Sequence, residues 1–182
     1  MSSNQLESSS RKRGVFIAAS FVAIAVLEEM LPLRRGVERK LTHVLRDVAM
    51  AAMSALVTAV MQQRLVAPAA ETIVTRRQGL LPRLRLPRSL RVAAGVLLLD
   101  YSLWIWHWLN HRSMPLWRFH RVHHVDLDLD SWTALRFHFG EMTLASVVRF
   151  LQIRLIGPDP AALTLWQTLL LPSIFLDRKS VV

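Results

Sequence analysis

Long apolar runs separated by arginine-rich links constrain the fold of this chain more than any other feature. Residues 14–33 are uncharged up to Leu27 and approach the roughly 20 residues that cross a bilayer as a helix. Residues 48–67 and 90–108 form two further runs, the first closed by Pro68. Within lipid the backbone must satisfy its own hydrogen bonds, which favours helices. The sequence therefore predicts an all-α integral membrane bundle that crosses the bilayer several times.

The remaining segments indicate how the bundle is bounded. Residues 71–91 carry six arginines and two prolines, which is typical of a linker at the level of the lipid headgroups. Residues 161–176 are apolar and could cross the membrane, whereas polar residues interrupt 142–156, so a tilted interfacial helix and a span remain equal alternatives there.

The charge of the chain has the same explanation. It contains 23 Lys and Arg against 13 Asp and Glu, although 52% of its residues are hydrophobic. The cations lie mostly between the apolar runs, where anionic headgroups would be. A soluble nucleic-acid-binding protein would not need such runs, so we expect membrane and no nucleic acid as the partner. Residues 1–13 are polar and serine-rich and end in three cations, which predicts a disordered basic arm before a membrane domain at 14–182.

Histidine is the residue that indicates chemistry. The chain has no cysteine, so disulfides, iron–sulfur clusters and thiolate-ligated haem are excluded. Five of the seven histidines fall within eighteen residues: His107, His111, His120, His123 and His124. The first two are spaced i, i+4 and the other three i, i+3, i+4, so each group shares one face of a helix. Neutral imidazole suits iron, zinc and copper, and the two faces predict one shared transition-metal site.

Carboxylates near these histidines are weaker candidates. Asp100 precedes His107 by seven residues, on the same helical face, and could accept the free N–H of a ligand imidazole. The alternative is that it reaches an interface. His43 stands alone in a basic link, and Asp126 alternates with apolar residues, so we expect a structural role for the first and solvent exposure for the second.

The histidine pattern also resembles a known family. The motifs are Asp-Tyr at 100–101, HWLNH at 107–111, WRFHRVHH at 117–124 and TALRFH at 133–138. Their HxxxH and HxxHH boxes match, in order and spacing, those of the fatty acid hydroxylase and sterol desaturase superfamily.

The resemblance implies an integral membrane di-iron oxygenase. Such an enzyme uses O2 and two electrons to hydroxylate or desaturate an acyl chain, a sterol or a related lipid, with the histidine-box helices at the membrane surface. The five clustered histidines would be iron ligands, and His138 would shape the site. No electron-carrier domain is visible, so a separate donor is implied. The site would face the cytoplasm, whereas three full crossings from a cytoplasmic N-terminus would place it outside.

The chain departs from the family at its C-terminal end. Further histidine boxes normally follow the segment that matches 169–174, and here only a short polar tail remains. A catalytic metal usually takes at least three protein ligands, so we expect an incomplete di-iron centre and a truncated or frame-shifted C-terminus, which leaves activity open. A membrane metal-binding or haem-binding protein without oxygenase chemistry, and an inert fragment, are the alternatives.

Overall fold

The computed structural model describes residues 3–31, 38–126 and 132–176. Across these ranges the chain is built of helices, with no strand. The α-helices are α1 (Ser3–Met30), α2 (Lys40–Met61), α3 (Ala67–Arg76), α4 (Arg88–Arg112), α5 (Met114–His124), α6 (Phe139–Ile156) and α7 (Pro160–Leu176). Short π and 3-10 turns lie at Gln62–Val66, Leu81–Arg83 and Thr133–Leu135. The predicted all-α class is confirmed.

Two of the described helical stretches are long and apolar enough to cross a membrane, namely Lys40–Arg83 and Arg88–Arg112. Only 11% and 17% of their most apolar windows are buried inside the protein. The core helix of a soluble protein would bury far more of such a window, so these surfaces suit lipid. Within the described residues, α1 is not among these stretches, since charged residues flank its apolar part on both sides; residues 32 and 33 of the expected crossing at 14–33 lie outside the described residues.

Helix α1 begins earlier than the composition indicates. It starts at Ser3, so residues 3–13 continue the helix where a disordered arm was expected. The segment contains no proline or glycine before Gly14, and a helix propagates readily from an apolar run into good helix formers such as Gln5 and Leu6.

Proline 68 modifies the second helical stretch without ending it. The π turn at Gln62–Val66 comes immediately before α3, and Pro68 lies in the first turn of that helix. In a regular α-helix a proline ring clashes with the backbone of the preceding turn, and proline has no N–H to donate. The wider π turn before Pro68 removes this clash. The stretch from Lys40 therefore continues to Arg76, beyond the expected boundary at 67.

The core that positions the site lies between α4, α6 and α7. Leu81, Leu99, Ile156 and Trp166 form its buried centre. Gly157, with a φ of 62°, ends α6 in the left-handed conformation, and a Cβ there would lie 2.2 Å from the carbonyl oxygen of Gln78. Only glycine permits this approach, which fixes the 77–80 turn against the end of α6.

Candidate metal centre

The corner between α4 and α5 brings the two histidine boxes together. Ser113 leaves helical geometry with an extended backbone, and Pro115 then stands in the first turn of α5, where proline is tolerated. The His120 ring centroid consequently lies 4.8 Å from that of His107 and 4.9 Å from that of His111. The predicted convergence of the two helical faces is therefore present in the fold.

Four imidazoles face one another at this corner. The Nε2 atoms of His107 and His111 are 3.1 Å apart. Those of His120 and His124 are also 3.1 Å apart. Ligand atoms of His107, His111 and His120 all lie within 4.8 Å of one another, as in sites that hold a metal ion. Only one proton can lie between the two nitrogens of each facing pair, so at least one nitrogen of each pair directs a lone pair into the cluster. Such lone pairs can bind a cation.

His120 is the buried member of the cluster. Its side chain is almost fully inaccessible, and its Nδ1 lies 2.7 Å from Oε1 of Glu141, which is also buried. A carboxylate at Nδ1 holds the ring proton there and leaves Nε2 as the electron-pair donor. The second carboxylate oxygen of Glu141 has no hydrogen-bond partner among the described residues. The donor set and this orphaned oxygen both fit a bound cation.

His123 lies beside the cluster, on the wall of a cavity. Its ring stacks on Phe137 with centroids 5.3 Å apart, and lies 5.3 Å from the ring of His124. Burial lowers the pKa of His123, and burial together with the neighbouring histidines lowers the pKa of His124 to about 4. Both rings are thus neutral near pH 7, which is the form that binds metal.

The two additional candidates have different environments. His138 caps α6, where its Nδ1 accepts a hydrogen bond of 3.0 Å from the backbone N–H of Gly140. Its ring packs on Phe119 and Phe139. Asp100 is exposed on α4 and lines the cavity wall, and no hydrogen bond joins it to the described histidines. The carboxylate that contacts the cluster is that of Glu141.

Sequence reasoning missed Glu141, although a signal was present. It follows His138 by three residues, in the first turn of the next helix, where a carboxylate is favourable on electrostatic grounds alone. Nothing in that spacing indicates that α6 packs across α5, and the pairing with His120 depends on that packing.

A second group of charges was also misjudged from sequence. Asp126 is buried and not solvent-exposed, and His43 and Asp47 are buried beside it. His43 lies 3.4 Å from Asp47 and 3.5 Å from Asp126. Arg136 bridges the two carboxylates at 3.7 Å and 3.2 Å. Three potential ligands therefore meet here, but Arg46 also lies beside both carboxylates. The two guanidinium groups balance the two negative charges, and we interpret the group as an ion-pair network.

A cavity of about 920 Å³ opens next to the histidines. Side chains from α1, α2, α4, α6 and α7 line it, and His107, His120 and His123 form part of its wall. Most of the lining is apolar, with Leu103, Trp106 and Trp166 among the contributors. A chamber of this size and character suits an extended apolar ligand whose chain reaches the histidines.

Comparisons with known proteins agree with this geometry. Residues 92–176 match the fatty acid hydroxylase family. The matched segment contains both histidine boxes, His138 and Glu141, so the resemblance drawn from the motifs is confirmed.

One curated protein similar to this chain is the ornithine lipid hydroxylase OlsE of Rhizobium tropici. It is 30% identical over 80 residues, which is 44% of this chain and 24% of the relative. The chain therefore matches about a quarter of that protein's length. No solved structure gives a significant match.

Proposed function

We propose that this chain is a membrane-bound oxygenase of lipid metabolism that hydroxylates or desaturates a fatty acyl chain, a sterol or a related lipid with O2. The observation that carries the proposal is the convergence of four imidazoles at the end of an apolar cavity. The fatty acid hydroxylase match and the lipid hydroxylase activity in the relative's name support the same class of reaction. An enzyme of this class would lie in the membrane and take its electrons from a separate donor.

Iron is the metal that the family implies, as a di-iron centre. His107, His111, His120 and His124 would hold it, with His123 as a further ligand from the cavity wall. Bound iron would supply the oxidation of an unactivated C–H bond by O2 with two external electrons. Because the metal site adjoins the cavity, a lipid chain lying there would present its carbon atoms to it.

The surrounding residues of the chain have three tasks. Glu141 keeps the ring proton of His120 on Nδ1, so that Nε2 points into the cluster. The apolar cavity wall excludes water and holds the lipid chain in a fixed direction. The α4–α5 corner fixes the distance between the two histidine pairs.

A membrane metal-binding protein without oxygenase chemistry is the second candidate. It is favoured by the size of the cluster, because the described imidazoles form one group around one position, whereas two metals would need more donors. The metal content separates the two candidates: two irons per chain support the oxygenase, and one zinc supports the alternative.

The test is metal analysis of the full chain, purified in detergent, by inductively coupled plasma mass spectrometry. Simultaneous alanine replacement of His120, His123 and His124 should abolish bound iron. His138→Asn is the matched control, because asparagine still caps α6 and the ligands are unchanged. Iron that survives the triple replacement would refute the site.

Activity is measured in a host that supplies its own reductase. Cells that express the chain should accumulate oxidised lipids in mass-spectrometric lipid profiles, and cells that express the triple variant should not. Bound iron without oxidised lipid would favour the non-catalytic candidate.

A further inference from the structure

Arg149 lies on the wall of the cavity, and none of the described acidic residues pairs with it. It belongs to α6, its Nη1 atom is buried, and that atom has no hydrogen-bond partner in the part of the chain that the structure describes. Its guanidinium carbon lies 4.0 Å from the ring centroid of Trp166, which is itself buried. The indole face therefore supports the cation and orients the plane of its fork.

Two other half-buried or buried arginines near the site form ion pairs. Arg136 bridges Asp47 and Asp126, and Arg46 pairs with Glu38. Burying a guanidinium without a counter-charge is costly, which is why proteins normally provide one. Arg149 therefore differs from Arg136 and Arg46, since no ion pair to it is present in the part of the chain that the structure describes.

The acids of the cavity do not fill this role. Glu141 is bonded to His120, and Asp100 lies on α4 with no described ion pair to Arg149. A positive charge on the wall of a mostly apolar cavity, without a described ion pair to either acid, attracts an anion from outside the chain. The planar fork of arginine matches the two oxygens of a carboxylate or a phosphate.

We propose that Arg149 binds the anionic group of a lipid whose apolar chain fills the rest of the cavity. This inference rests on the proposed function and narrows its substrate class to acidic lipids. Arg149 follows Glu141 by eight residues, which is about 12 Å along the axis of α6. The anionic group would thus be anchored at a distance from the histidines, and the chain would extend towards them.

The experiment measures lipid binding to the metal-free full chain in a non-ionic detergent. The probe is dibromostearic acid, whose bromine atoms quench tryptophan fluorescence, and the comparison ligand is the alcohol with the same brominated chain. Trp104, Trp106 and Trp166 line the cavity and report binding. Above the pKa of the acid, the unmodified chain should bind it about tenfold more tightly than the alcohol, as expected for charge-assisted hydrogen bonds.

Three variants identify the source of this preference. Arg149→Gln should lose the preference and still bind the alcohol normally, which also shows that the cavity is folded. Arg149→Lys should keep most of the preference. Arg154→Gln is the matched control, because Arg154 is an exposed cation on the same helix that also stacks on an aromatic ring, and its loss should change nothing.

Several outcomes would overturn the proposal. The first is equal binding of acid and alcohol by the unmodified chain, and the second is an unchanged preference in Arg149→Gln. The third is loss of binding of both ligands in both Arg149 variants, which would show that the stack of Arg149 on Trp166 is purely structural. Inorganic phosphate should not displace the acid, and displacement would indicate a free-anion site. Because the measurement needs no iron, failure of the proposed oxygenase function would leave its result unaffected.

Discussion

At the scale of single residues, the contact between His120 and Glu141 would determine how the proposed metal centre is held. His120 is the one cluster histidine that is almost completely buried, and the short hydrogen bond from Nδ1 to Glu141 fixes its tautomer. When the proton of an imidazole is fixed on one nitrogen, the other nitrogen and the orientation of the ring are fixed as well. Mutation of a carboxylate that holds a metal-ligating histidine in this way typically changes metal affinity by 10–100-fold. Asp100 was the carboxylate that sequence spacing favoured for this role, and the two can be compared directly.

We predict that Glu141→Gln weakens iron binding by about 10–100-fold, because the amide is a poorer acceptor for the imidazole N–H. Asp100→Asn is the matched control and should leave iron affinity unchanged, since Asp100 is exposed and makes no hydrogen bond to the described histidines. The measurement is iron retained in competition with a chelator of known affinity. A larger loss of iron affinity in Asp100→Asn than in Glu141→Gln would show that Asp100, and not Glu141, orients the ligand histidine.

At the scale of elements, a buried ion-pair network joins α2 to the segment that follows α5. Arg136 contacts Asp47 of α2 and Asp126 at the end of α5, and Thr133 donates a 2.7 Å hydrogen bond to Asp126. Ser54 of α2 also donates to the carbonyl oxygen of Phe137, the residue on which His123 stacks. Through these contacts α2 supports Phe137 and, with it, the ring of His123.

Removing one charge of this network should be strongly destabilising. Asp47→Asn leaves Arg136 and His43 with less compensation in a fully buried position, and we expect a loss of about 3–5 kcal/mol in the free energy of unfolding. Asp159→Asn breaks an ion pair in which Arg88 is 76% exposed, and should cost less than about 1 kcal/mol. Thermal unfolding in detergent, followed by circular dichroism, measures both. Similar costs for the two variants would show that the buried network contributes little.

At the scale of the whole molecule, the exposed apolar surface defines the environment. The windows of the two candidate spans are mostly unburied, and Leu97, in the middle of the second span, is 69% exposed. A surface of this kind is stable against acyl chains and unstable against water. The short link between the candidate spans begins at Leu84, which Arg83 and Arg85 flank, and would lie among the headgroups.

We predict that Leu97→Arg lowers the membrane-inserted fraction of the protein, because an arginine at the centre of a span costs about 2.5–3.5 kcal/mol on insertion scales. Leu84→Arg should insert normally, since it adds one more cation to a segment already rich in them. Alkaline carbonate extraction of cell membranes, followed by immunoblotting of pellet and supernatant, distinguishes the variants. Equal extraction of both would mean that α4 does not meet lipid at Leu97.

The sequence predicted those parts of this architecture that depend on local geometry. The histidine cluster could be predicted from the sequence, because i, i+3 and i, i+4 spacings place side chains on one helical face whatever the tertiary fold. The contact of Glu141 with His120 and the burial of Asp126 could not be predicted, since both depend on the packing of helices that are distant in sequence. Asp128 and Asp130, which share the pattern of Asp126, lie outside the described residues. The early start of α1 and the passage of the helix through Pro68 were missed because composition and proline content mark boundaries only statistically.

The proposed metal ligands come from neighbouring stretches of the chain. His107 and His124 are separated by one tight corner, so a cation captured there closes only a short loop, and the entropic cost of that closure is small. The α4–α5 hairpin can therefore gather its donor atoms as soon as it emerges during synthesis. Maturation of the centre need not await the arrival of α6, whose carboxylate then locks a geometry already formed.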